Sequence, residues 1–138
     1  MRTLAVDASV TLKWVVPESG HADAVRLLEQ YHRGEVWLIA PHLLLAEVGN
    51  ALWKRVRRGE LAAEQASRAF AELLSHCPIL VHSESASQTA MDLSMAHGHP
   101  VYDCLYVALA LEQRCDLITA DRRLYQALGR TYSCVRLL

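Results

Sequence analysis

Four carboxylates stand where side chains could take part in chemistry. Asp7 in "AVDAS" and Asp121 in "LITADRRL" each follow a short apolar run, Asp103 heads the apolar stretch "HPVYDCLYVALALEQ", and Glu47 lies inside "PHLLLAEVGNAL". They belong to four separate segments. Brought together they would repel one another, by roughly 3 kcal/mol for two carboxylates ~5 Å apart at an effective dielectric of 20, so the group must gain protons or a cation. Oxygen-only ligands on stiff elements suit Mg²⁺ or Mn²⁺. The chemistry such a site performs is metal-assisted phosphodiester hydrolysis, in which an ion acidifies a bound water and neutralises charge on the phosphate.

Each acid also has a plainer role to be weighed. Asp7, Asp103 and Asp121 all stand at predicted helix N-termini, where an Asp accepts free backbone N–H groups and complements the helix dipole. Glu47 falls about one turn inside its helix, where capping does not apply and solvent exposure is the alternative. Glu47, Asn50 and Lys54 form one polar stripe at i, i+3 and i+7, with Leu44, Val48, Ala51 and Leu52 supplying the apolar side. The surrounding run is too apolar for a fully wet helix, and a narrow polar stripe on a mostly buried helix faces a cleft.

The elements that must position these groups follow from the hydrophobic pattern. Strands are expected at Thr3–Val6, Val36–Ile39, Ile79–Val81, Leu117–Thr119 and Cys134–Leu137, with helices at Val10–Val15, His21–Arg33, Leu43–Arg58, Ala62–His76, Ser85–His97, Val101–Arg114 and Arg122–Leu128. Pro17, Gly20, Gly34, Pro41 and Gly59 punctuate the boundaries. The alternation predicts an α/β fold, a mostly parallel central sheet of about five strands flanked by helices on both faces. The stretch Cys104–Leu111 is apolar throughout, so its helix is expected inside the protein. Asp7 and Asp121 then lie at carboxyl ends of strands, the edge where open α/β sheets bind ligands.

Composition sets the frame. At 138 residues and 52% hydrophobic, the chain is expected to form one domain over residues 1–138 with a real core. A net charge of −1 gives no overall basic field, so a nucleic-acid partner must be met by a local patch. Cys77, Cys104, Cys115 and Cys134 lack C-x-x-C spacing and read as reduced core thiols. Asp7 and Lys13 break any signal-peptide core, and no apolar run approaches a membrane span, so a cytoplasmic protein is expected.

Taken in order, "VDAS", "LLLAEVGNAL", "HPVYDCLYVALAL" and "LITADRRL" resemble the motifs of PIN-domain ribonucleases, and more narrowly those of VapC-type toxins. The resemblance runs over nearly the whole chain. It implies a PIN-like α/β/α fold and a Mg²⁺- or Mn²⁺-dependent endoribonuclease with Asp7, Glu47, Asp103 and Asp121 around the ion. Ser9 and Thr119 would be supporting hydroxyls, and Asn50 a supporting group beside the metal ligands. It further implies an RNA substrate, a cognate antitoxin and a homodimer. The alternatives are a PIN-domain nuclease that is not a toxin, or a non-catalytic PIN-like module that binds RNA or protein. Asp103 could cap its helix and bind metal at once, one oxygen serving each.

Lys54, Arg122 and Arg123 are the expected RNA-phosphate contacts, although the basic run Lys54–Arg58 also complements the C-terminal dipole of its helix. His97 and His99, flanking Gly98, read as a turn rather than a metal pair, because hard-metal sites prefer oxygen. Trp37 is expected to pack in the core, while Trp14 and Trp53 are expected to border a groove for a second protein. An aspartyl-phosphate phosphatase would want a second acid just after Asp7, where the chain has Ala8 and Ser9.

Overall fold

The computed structural model describes all 138 residues. The chain order is β1 (Arg2–Val6), α1 (Ala8–Val15), α2 (His21–His32), β2 (Val36–Pro41), α3 (Leu43–Arg57), α4 (Ala63–Ser75), β3 (Ile79–Val81), α5 (Glu84–His97), α6 (Val101–Gln113), β4 (Asp116–Thr119), α7 (Arg122–Leu128) and β5 (Val135–Leu137). The five strands form one sheet in the order β3-β2-β1-β4-β5, and every pairing is parallel. Chain order reverses between β1 and β4, whose carboxyl ends carry Asp7 and Thr119. In such sheets this switch point opens a crevice outside the strand ends.

The central strands are buried on both faces beyond their amino ends. Leu4, Ala5 and Val6 of β1 and Leu38, Ile39 and Ala40 of β2 are buried in unbroken runs, as expected of parallel strands covered on both sides. The edge strands β3 and β5 are three residues each and largely half-buried or exposed, so neither offers a long template for another strand. Helix α1 packs on α2, α3 and α4, whereas α5 packs on α6, and α6 also lies on β1, β2 and β4. Cys104 and the run from Tyr106 to Ala110 on α6 are buried. The expected burial is incomplete: Leu105, near the start of that stretch, is only half-buried, and Leu111 is 38% exposed where the last turn leaves the core.

Caps fix where three helices start. Asp7 accepts from the Val10 amide at α1, Ser83 from Ala86 at α5, and Asp121 from Arg123 and Leu124 at α7. Helix α6 differs from the sequence expectation: it starts at Pro100 with no side-chain cap, so Asp103 does not cap it. Pro100 has no N–H and presets the backbone entering the first turn, which leaves the Asp103 carboxylate free for another partner.

The tryptophans also depart from expectation. Trp14 is 5% exposed and its Nε1 donates to the Ala24 carbonyl at 2.9 Å, tying α1 to α2, so it borders no groove. Trp37, expected in the core, is 47% exposed on β2 beside Thr3, near the amino ends of the strands. Trp53 is exposed as expected and stands with Leu52, Val56 and Phe70 around an apolar groove of about 290 Å³ between α3 and α4. The cysteines are all free thiols, but only Cys104 is fully buried.

Candidate active site

Asp7 is the anchor of the site. It leaves β1 at the switch point and is 5% exposed. Its Oδ1 accepts from the Ser9 hydroxyl at 2.5 Å and from the Val10 amide at 3.3 Å, and its Oδ2 accepts from the Thr119 hydroxyl at 2.5 Å. The two hydroxyls reach onward. Thr119 Oγ1 accepts from the Asp121 amide at 3.0 Å, and Ser9 Oγ accepts from the Ala120 amide at 2.8 Å. The ends of β1 and β4 are thereby stitched together through Asp7. Burial raises the Asp7 carboxyl from 3.8 to about 6, opposed by the Ser9, Thr119 and Val10 hydrogen bonds and reinforced by the charge of Asp121.

Asp121 uses one carboxylate oxygen to cap α7, accepting from Arg123 at 2.9 Å and Leu124 at 3.2 Å. Its other oxygen takes no protein donor. Asp103, in the first turn of α6, accepts on Oδ2 from His99 Nε2 at 2.8 Å. His99 is itself held, because its carbonyl accepts from the Ser94 hydroxyl at 2.6 Å.

Glu47 projects from the second turn of α3, and its Oε1 is buried without a hydrogen-bond partner. Burial raises its pKa; the neighbouring Tyr106 phenol favours the ionised form, and the charges of Asp103 and Asp121 oppose it. The Tyr106 hydroxyl is likewise buried without a hydrogen-bond partner, and it lies beside Glu47. Burial and then the Glu47 charge hold the Tyr106 phenol far above its ordinary range, with Asp7 and Asp103 adding to the effect. These mutual effects tie Asp7, Glu47, Asp103 and Asp121 into one electrostatic neighbourhood.

The supporting and basic positions divide. Asn50 and Lys54 line a cleft of about 260 Å³ together with Glu47, Ser9, Ala8 and Leu12. Arg122 and Arg123 are exposed; Arg122 lines a different depression, with Lys13 and Gly20, so it does not share the Glu47 cleft. His97 turns away to the Tyr132 hydroxyl, 3.1 Å from its Nε2.

The residues fit a hard divalent cation. The donors are carboxylate and hydroxyl oxygens, one buried carboxylate oxygen is orphaned, and burial raises the most buried acid, Asp7, to about 6 despite its three hydrogen bonds. An unpaired buried polar atom of this kind costs about 1–3 kcal/mol. No three acidic, histidine or cysteine side chains close tightly enough to enclose an ion by themselves.

Sequence reasoning missed Tyr106 as a member of the site. Its signal was there: it is the only hydroxyl in the apolar stretch Cys104–Leu111, three residues after Asp103 and so on the same helix face. The contact of His99 with Asp103 had no such signal, because His99 precedes the helix and the helix-face rule does not reach it.

A family model described as PIN domain matches residues 4–128. A relative from Pyrobaculum aerophilum, ribonuclease VapC3, is 38% identical over 123 residues, covering 88% of this chain and 91% of that protein. Among solved structures, PAE2754 from Pyrobaculum aerophilum superposes with a TM-score of 0.69 at 28% identity, covering 91% of this chain and 86% of that one. A toxin–antitoxin complex from Klebsiella pneumoniae contains a chain of the same fold, with a TM-score of 0.64 at 18% identity, covering 96% of this chain and 95% of that one.

Proposed function

The chain belongs to the PIN-domain family, and on that premise we propose that it is a VapC-type toxin, a divalent-metal-dependent endoribonuclease restrained by a cognate antitoxin. One observation supports the reading: Glu47, with a buried oxygen left unpaired, feels the charges of Asp103 and Asp121, and Asp7 feels that of Asp121, so the four carboxylates share one electrostatic neighbourhood at the strand ends. Asp7, Glu47, Asp103 and Asp121 would hold Mg²⁺ or Mn²⁺. Bound there, the cation would acidify a water and neutralise charge on the scissile phosphate.

The chain's own residues do the rest. Ser9 and Thr119 fix both oxygens of Asp7, and His99 orients Asp103. Asp121 keeps one oxygen for its helix and presents the other. Asn50 and Lys54 lie along the cleft beyond Glu47 and take an RNA phosphate, Lys54 as a point charge.

A nuclease of this kind endangers the cell that makes it, which motivates the antitoxin. The apolar groove beside Trp53 and Phe70 seats apolar side chains of such a partner. A basic side chain reaching the four acids would neutralise them. We also assign a homodimer, supported by exposed Met91, Met95 and Tyr102 on α5 and α6.

The test is cleavage of single-stranded RNA by the purified chain in Mn²⁺ and in EDTA. Cutting in Mn²⁺, lost in EDTA and in Asp121→Asn with the fold intact, is the expected result. Metal-independent cutting, or binding of RNA without any cutting, would make the chain a PIN-like binding module instead. Expression alone should arrest growth, and co-expression of a cognate antitoxin should restore it.

A further inference from the structure

A second cavity, of about 90 Å³, opens at the same end of the sheet, where β2 and β3 stop. His42 and His82 form its rim, with ring centroids 6.3 Å apart and planes at 67°. Its floor is apolar, built from Leu43, Val81, Leu105 and Leu109. No carboxylate lines it, in contrast to the acid cluster nearby.

Helix geometry joins this cavity to the acids. Leu43, Glu47, Asn50 and Lys54 share one face of α3 at i, i+4, i+7 and i+11. Leu43 lines the histidine-rimmed cavity, whereas Glu47, Asn50 and Lys54 line the cleft. The two hollows therefore lie in tandem along ~16 Å of one helix, with Glu47 between them. The far wall is firm: Ser83, next to His82, accepts from the Ala86 amide at 3.1 Å and donates to the Glu112 carboxylate at 2.7 Å.

We propose that the His42–His82 cavity is a nucleobase subsite, in which one unpaired base of the RNA stacks on one imidazole and meets the other edge-on, while the adjoining phosphodiester lies at Glu47 and a further phosphate at Lys54. The inference rests on the ribonuclease reading and extends it to substrate selection. Single-stranded RNA is recognised by splayed bases stacked on aromatic or histidine rings. An apolar floor takes the base, and the two exposed histidines can close on it. The acid-free lining lets the strand approach there without repulsion. The strand then runs along α3 with the acids at its centre rather than its end, which is the requirement for cutting within a chain.

The test pairs changes in protein and RNA. A single-stranded RNA with a mapped cut site is made with an abasic nucleotide at each position flanking the cut in turn, and kcat/KM is measured for wild type and for the His42→Ala/His82→Ala variant. Wild type should lose about five- to hundredfold at one flanking position, the range expected for one stacked base. The variant should lose a similar factor on intact RNA and almost nothing more on the abasic RNA, with Mn²⁺ affinity and melting temperature unchanged. Losses that multiply, or a variant that cuts intact RNA like wild type, overturn the subsite.

Failure of the ribonuclease reading is read out separately. If wild type cuts no RNA in Mn²⁺, the same oligonucleotides are tested for binding by fluorescence anisotropy in Ca²⁺. Base-dependent binding lost in the double variant supports the subsite without catalysis, and base-independent binding or none overturns it.

Discussion

Replacing Asp7 by Asn should make the metal-free protein more stable, an unusual expectation for a residue that accepts three hydrogen bonds. In the folded state burial holds the carboxyl near 6, against an ordinary 3.8. Between those values the folded protein keeps a proton that the unfolded chain has already released, so stability falls as pH rises through this window. The full penalty, about 3 kcal/mol at about 1.4 kcal/mol per pH unit, is present above about pH 6. Asn has nearly the same shape and no charge. Its amide nitrogen must find an acceptor among hydroxyls that now donate to Asp7, so part of the gain is lost. The expected net stabilisation is about 1–3 kcal/mol at pH 7.5 in EDTA, or about 4–10 °C in melting temperature for a chain of this size. The assay is thermal unfolding of both proteins in EDTA from pH 4 to 8. The curves should meet near pH 4 and separate by pH 6.5, and saturating Mn²⁺ should reverse their order by stabilising only the wild type. An Asn variant less stable than wild type at pH 7.5 in EDTA, or a gap that ignores pH, would show that Asp7 is ionised there at no cost and would refute the argument.

Added Mn²⁺ should raise the wild-type melting temperature in a saturable way, by about 1.4 kcal/mol of stability at ten times the dissociation constant, and EDTA should reverse it; Asp103→Asn and Asp121→Asn should blunt the rise. Thr119→Val removes a fully buried hydroxyl that serves both Asp7 and the Asp121 amide, and should cost about 2 kcal/mol or more in urea unfolding. Thr119→Ser should restore most of it, and a Val variant as stable as wild type would sink the stitching role. Glu47→Gln should abolish RNA cleavage while leaving circular dichroism unchanged, and retained activity would remove Glu47 from the site.

How much of this was legible in the sequence depends on the range of the interaction involved. Element boundaries depend on local pattern and turn residues, and the expected strands and helices lie within about two residues of those observed, the margin within which assignments differ. The switch-point position of Asp7 and Asp121 followed from their place directly after strands, which topology then turns into a shared edge. What failed was non-local. Trp14 and Trp37 have similar apolar surroundings in sequence, yet one finds the Ala24 carbonyl on a neighbouring helix and the other emerges near the amino ends of the strands. Asp103 was expected to have two tasks, and Pro100 relieved it of one by starting the helix without a side-chain cap, so that His99 holds the carboxylate instead. The same logic explains Tyr106. Buried polar groups almost always find partners, so a phenol and a carboxylate oxygen lying side by side in the interior without a completed bond stand out in the structure. Glu47 comes from α3 and Tyr106 from α6, so the pair exists only once both helices have docked on the sheet, and no run of residues in the sequence announces it.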